Sequence, residues 1–130
     1  MGRTSDVQPD NTFIEGSEHV WLAARDRGVT FRAVGQEPGW LVEIEGDRRI
    51  RVVTDYGQDE RVTPVPRPVV DSTTWTTTYR VVTEGRELRI SIRDEPCVDT
   101  MSGERFPTTV TLVLDGTTWH GCGRALDDLP

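Results

Sequence analysis

The chain of 130 residues contains no lysine; all 15 of its basic residues are arginine. That absence excludes chemistry through a lysine Schiff base and phosphate binding through a P-loop lysine. No apolar run approaches the ~18 residues of a membrane span. The opening "MGRTSDVQPDNT" lacks the hydrophobic stretch of a signal peptide. Hydrophobic residues make up 35% of the chain, little for a large helical core, and they fall in short stretches. Charge of one sign is also scarce: with 15 basic against 22 acidic residues the net charge is -7. This argues against nucleic acid and anionic membrane surfaces as partners and allows a basic one. There is no internal repeat, linker or low-complexity segment, and the length suits one domain with its own core.

What is present is strand-like. "SEHVWLAARDRG" is the one helical stretch, with Ser17 as cap, Glu18 in the first turn, Gly28 as terminator, and Val20, Trp21 and Ala24 on one face. From Val29 onward the hydrophobic period becomes two. "WLVEI" sets Trp40, Val42 and Ile44 against Glu43, and Gly46-Asp47 then turns the chain into "RRIRVVT". "TTWTTTYRVVT", "ELRISIR" and "TTVTLVLDGTTWHGC" alternate in the same way, the last turning at Asp115-Gly116. "RVTPVPRPVV" is too rich in proline for a central strand and suits an edge or an extended crossing. These patterns predict an all-β fold, a small antiparallel barrel or sandwich of about seven or eight strands with one wet face and one short N-terminal helix near residues 18–27. Residues 1–16 are expected to form a flexible tail ahead of a single β domain, 17–130. Such a beginning suits an exported domain whose signal segment is absent from this chain.

Chemistry-bearing residues concentrate between 97 and 123, where both cysteines and His120 lie. Three readings compete there. Cys97 with Asp99, and His120 with Cys122, share strand faces and form a chemically possible zinc set, although structural zinc sites prefer paired C-x₂-C knuckles. Ser102, His120 and Asp99 supply the residue types of a hydrolase triad, without a G-x-S-x-G elbow or a helix after the serine. The favoured reading is a Cys97–Cys122 disulfide, which suits an oxidising compartment. Closing a loop of about 25 residues stabilises the fold by roughly 3 kcal/mol on the chain-entropy model. Asp99 and Ser102 each suit a turn cap.

"GQEPGW" is the second unusual stretch: a rigid turn around Glu37 that leads into Trp40. In the plainer reading Glu37 accepts turn amides or pairs with Arg32; in the functional one Arg32 and Glu37 belong to a ligand site. Trp21, Trp40, Trp75 and Trp119 all lie in patterned segments, so core or rim packing is expected rather than a sugar platform. His19 is expected on the helix surface.

With these motifs in view, "ARDRGVTFRAVGQEPGWLVEI" and "CVDTMSGERFPTTVTLVLDGTTWHGCGRAL" resemble an uncharacterised family of bacterial envelope lipoproteins. Its domains occur beside META-type heat-shock domains and membrane-bound C-type lysozyme inhibitor domains. The resemblance spans roughly residues 23–126. It is carried by Arg32, Gly35, Glu37, Pro38, Gly39 and Trp40, then by Cys97, Asp99, Met101, Ser102, Gly103, Phe106, Pro107, Gly121, Cys122 and Gly123. A looser likeness links Ser102, Gly103 and Phe106, with Trp119, Gly121 and Ala125, to the lysozyme inhibitors themselves. The lysine that those inhibitors insert toward lysozyme's catalytic acids has no counterpart here, and His120 stands near its place.

The resemblance implies a protein of the periplasm or outer envelope, with any membrane attachment through a lipid anchor outside this chain, and the lack of a nucleophile–base motif favours a non-catalytic binding module without cofactor or metal. Its partner would be a protein or cell-wall ligand, basic if a protein. The candidate binding residues are Arg32, Glu37, Trp40, Asp99, Met101, Ser102, Gly103 and Phe106. The alternatives are a lysozyme-inhibitor-like protein, and a small metal protein or hydrolase using Asp99, His120 and Glu37.

Overall fold

A computed structural model of the chain describes residues 12–36 and 39–128. One helix, α1 (Thr12–Asp26), precedes an all-β body. The strands are β1 (Phe31–Gly35), β2 (Trp40–Glu45), β3 (Arg49–Thr54), β4 (Asp59–Thr63), β5 (Val69–Asp71), β6 (Thr76–Thr83), β7 (Arg86–Arg93), β8 (Cys97–Val98), β9 (Arg105–Phe106), β10 (Thr108–Leu114) and β11 (Thr117–Ala125). The helix ends as expected, at Gly28 with φ 99°, but begins before Ser17. The spacing Ile14 to Trp21 continues the helical period backward, so a capping residue inside a favourable pattern does not start the helix.

Nine strands form one antiparallel sheet in the order β4-β3-β2-β1-β11-β10-β7-β6-β5, and β8 and β9 pair as a separate ribbon. The strand count therefore exceeds the expected seven or eight. The proline-rich stretch supplies two edge strands with an extended crossing between them, and the cysteine-flanked loop contributes two short strands of its own. The sheet is a curled half-barrel rather than a sandwich. Its curl is measurable in one ion pair. Arg61 on β4 donates to Asp115, in the turn between β10 and β11, at 2.9 Å. Laid flat, the five strand steps from β4 to β10 would span about 24 Å. Residues 64–68 cross between the two edges, and Val65 packs onto the core from there. Two hairpin turns place both central residues at positive φ: Glu84-Gly85 (53° and 77°) and Asp115-Gly116 (53° and 90°). This is the mirror-image turn that matches the twist of paired strands.

Strand alternation fills both faces. The concave face carries the main core, with Trp40, Val42 and Ile44 of β2, Ile50 and Val52 of β3, Leu88 and Ile90 of β7, and Val110 and Leu112 of β10. The convex face was expected to be wet. Across β1 and β11 it is instead covered by α1, whose Trp21 and Ala24 pack with Val29, Phe106, Cys122 and Leu126 in a second core. Val20, grouped with that apolar face by spacing, is 42% exposed.

Three glycines allow the concave packing. A Cβ on Gly35 would lie 2.0 Å from the Trp40 indole, and one on Gly121 would lie 2.2 Å from the Val34 carbonyl oxygen and 2.7 Å from the indole. A Cβ on Gly123 would lie 2.7 Å from the Phe31 ring. "GxEPGW" and "GCG" thus meet as one packing device: the glycines of β1 and β11 are the floor on which Trp40 and Phe31 rest.

On the convex side, under the end of α1, Glu43 is buried (1% exposed). Arg27 donates to both of its oxygens at 3.2 Å, Arg32 to Oε2 at 3.1 Å and Arg51 to Oε1 at 3.3 Å. Arg32 also stacks on Trp21, 4.6 Å from the ring centroid. Burial pushes the Glu43 carboxyl pKa up, but the hydrogen bonds from Arg27 and Arg32 outweigh it and hold the group below its ordinary value.

Two outcomes follow from this packing. Gly121→Ala should destabilise the fold by about 1–3 kcal/mol or more, the cost of overpacking a core, because two of the obstructing atoms belong to the Val34 backbone; urea unfolding measures it. Glu43→Gln should cost about 3 kcal/mol at pH 7 by leaving Arg32 buried without its carboxylate. Because the folded pKa is depressed, the stability contributed by Glu43 is fully present above the ordinary glutamate pKa of about 4.3 and disappears as pH falls through the lower folded value. Stability curves of wild type and Glu43→Gln should therefore converge only at pH below that lowered folded value.

Candidate functional site

Residues 97–106 form a ribbon on the convex face whose tip is built by short-range hydrogen bonds. Antiparallel pairing joins Cys97 to Phe106 and Val98 to Arg105. Beyond it the chain turns sharply. The Asp99 amide donates to the Glu104 carbonyl at 2.9 Å, and the Gly103 amide donates to the Asp99 carbonyl at 2.7 Å. Side chains complete the turn: Asp99 Oδ1 accepts from the Met101 amide at 2.9 Å, and Ser102 Oγ accepts from the Glu104 amide at 3.1 Å. Gly103 takes a φ of 76°, a conformation that glycine adopts without the Cβ penalty. Gln36, just beyond β1, reaches Asp99 Oδ2 at 3.4 Å.

Two anchors fix the ribbon to the sheet. Cys97 and Cys122 are disulfide-bonded with Cα atoms 5.6 Å apart, and this bond is consistent with an oxidising compartment. Phe106 is buried in the second core with its ring centroid 5.5 Å from that of Trp21. Between these anchors Met101 stands 65% exposed.

The candidate residues separate into three groups. Asp99, Met101, Ser102 and Gly103 come together at the ribbon tip, and Phe106 is its foot. Arg32 and Trp40 lie on opposite faces of the β1–β2 pair, committed to Glu43 and to the glycine floor respectively. Glu37 lies outside the described residues.

The zinc reading loses its ligands, because both sulfurs are bonded to each other. Among the described residues no three metal-ligating side chains gather. Asp99, Ser102 and His120 are likewise engaged apart from one another. The first two cap the tip, while His120 Nδ1 lies 3.4 Å from the Thr111 hydroxyl on the neighbouring strand. Among the described residues no helix is long and apolar enough to cross a membrane.

Of the tryptophans, Trp21 and Trp40 are core and Trp119 is partly buried against it, whereas Trp75 is 67% exposed. Its alternation with Thr77 and Tyr79 suggested a strand, yet β6 begins at Thr76 and Trp75 ends the preceding turn at φ 54°. Period two does not reveal where a strand starts. His19 is exposed, as expected.

The ribbon tip can act by contact. It presents a soft apolar side chain, Met101, on a turn in which the amides of Asp99, Met101, Gly103 and Glu104 are already hydrogen-bonded, so docking there orders little that is not ordered beforehand. No protein-family model, curated protein or solved structure matches this chain.

Proposed function

We propose that the chain is a non-catalytic binding module of the bacterial cell envelope, working in an oxidising compartment such as the periplasm and making its contact through the ribbon tip at residues 99–104. The observation that carries the reading is the contrast within that tip. Its backbone is hydrogen-bonded internally while Met101 at its apex is 65% exposed. An apolar side chain held out on a cross-linked, capped turn contributes nothing to the core and matches what a recognition loop requires. The compartment is supported by the disulfide and by the resemblance of "GxEPGW" and "CxDxMSGxxFP…GCG" to envelope lipoproteins. The partner's sign is supported by the net charge of -7.

The exposed Ser102-Gly103 pair, with Phe106 three residues on, gives C-type lysozyme a place among the probes, as a basic protein of the class the looser likeness names. The test is binding of the purified chain to immobilised C-type lysozyme and to peptidoglycan. Met101→Arg serves as the variant, because it alters the apex and leaves both capping side chains in place. Wild type should bind one of the two saturably, and Met101→Arg should bind about tenfold more weakly or worse, the loss expected at an interface hot spot, with an unchanged thermal midpoint. If lysozyme is the partner, association should slow as salt rises. Equal binding by wild type and variant, or no binding to either probe, overturns the reading.

A further inference from the structure

A cleft of about 370 Å³ opens at the end of the concave face where β1, β6 and β10 begin and β7 and β11 finish. Its walls include Phe31, Trp75 and Tyr79, with the hydroxyls of Thr77 and Thr108 and the carboxylate of Asp94 among them. The ribbon tip lies by Gln36, beyond the far end of β1 from Phe31, so about 15 Å of strand separates the two places. The cleft is therefore independent of the ribbon-tip reading.

Phe31, Tyr79 and Ile92 pack against the main core, whereas Trp75 and Asp94 stand exposed on the rim beyond it. Trp75 sits at φ 54°, in the left-handed region that a bulky side chain rarely adopts. Its carbonyl accepts the Asp94 amide at 2.9 Å, which fixes the indole and the carboxylate on the same rim. Although it is the largest side chain type, Trp75 remains 67% exposed. Phe31, opposite, rests on Gly123, where any Cβ would displace it. The Asp94 carboxylate has no hydrogen bond or ion pair among the described residues. It is also the one charged group lining the cleft. Another cleft, near Arg61 and Arg86, differs on this point, since both arginines are already spent on Asp115.

We infer that the cleft between Phe31, Trp75 and Tyr79 binds a small organic cation, an alkylammonium or guanidinium headgroup, whose charge is met by Asp94. Aromatic faces attract cations through the ring quadrupole, tryptophan most strongly, and methylated ammonium groups are held by aromatic cages of this composition. An unpaired carboxylate beside the rings selects a cation over a neutral ligand of the same shape. The net charge of -7 draws cations toward the protein as a whole. The cleft's volume falls in the range of small-molecule sites. Thr77 adds a hydroxyl for a polar substituent on the ligand, whereas the Thr108 hydroxyl already donates to the Gly123 carbonyl at 2.6 Å.

The test is an NMR titration of the intact isotopically labelled chain, following the Trp75 indole and Asp94 amide signals. Choline probes a free quaternary ammonium, and N-acetyl-arginine amide probes a guanidinium carried on a peptide. The neutral isostere of choline, 3,3-dimethylbutan-1-ol, and N-acetylglucosamine are the uncharged controls. Saturable shifts are expected with choline or with the arginine derivative, and which of them binds tells a free cation from a peptide-borne one. Binding should weaken about tenfold for the isostere and for Asp94→Asn, the scale of a cation–π contact reinforced by a charge. Asp94→Asn keeps the backbone bond to Trp75, so its spectrum should otherwise match wild type. Met101→Arg should bind the cation as wild type does, which separates this site from the ribbon tip. Equal binding of choline and its isostere, stronger binding of the sugar, or no saturable shift with either cation overturns the inference.

Discussion

The Trp40 indole seated against Gly35 and Gly121 sets how β1, β2 and β11 meet, and much of the molecule is arranged around that contact. With no side chains on its concave side at 121 and 123, β11 lets Trp40 and Phe31 lie directly on its backbone. Alternation then requires the residue between those glycines to face the other way. That residue is Cys122, which meets Cys97 beneath the helix. One short sequence, "GCG", therefore fixes a large aromatic side chain on one face of the sheet and a covalent cross-link on the other. The ribbon stands on this strand because the strand is clamped from both sides.

Charge is used in a related way. Arginine alone supplies the positive groups, and its planar fork with several donors suits one carboxylate shared among several partners. Glu43 gathers Arg27, Arg32 and Arg51 from the helix end, β1 and β3. Asp115 gathers Arg61 from β4 and Arg86 from β7, and these bonds hold its carboxyl pKa down to about 2. In each cluster one partner comes from an element that the ladder does not pair with the acid's own: Arg27 from the helix end for Glu43, and Arg61 on β4 for Asp115. The first seats the helix on the convex face, and the second keeps the half-barrel curled where its edge strands do not pair with each other.

This division of labour leaves two exposed places, the ones we propose for recognition. The ribbon tip projects from the convex side, rigid because Asp99 and Ser102 satisfy its turn and the disulfide fixes its base. The cleft lies at one end of the concave side, where the core runs out and Trp75 stands at the rim instead of closing it. In each case the exposed group is held by backbone contacts that owe nothing to a ligand, so the geometry exists before anything binds.

The sequence by itself determined the class of fold, the turns and the cross-link. Period-two alternation marks β2, β3, β6, β7, β10 and β11 because side-chain direction in a strand is a local property. Asp115-Gly116 marks its hairpin because few residue pairs accept positive φ. Two cysteines leave one intramolecular pairing. What the tertiary structure decided is everything that depends on residues far apart in the chain. Spacing could not show that the convex face at Glu43 is covered by a helix, or that the three arginines around it come from separate elements. The motifs around Gly35 and Gly121 drew attention as a possible site, and only the pairing of β1 with β11 shows that they face one indole. Trp75 read as one more residue of a strand. Its exposure arises because the turn delivers it to the rim, beside an Asp94 that is nearly twenty residues away in sequence and one hydrogen bond away in space.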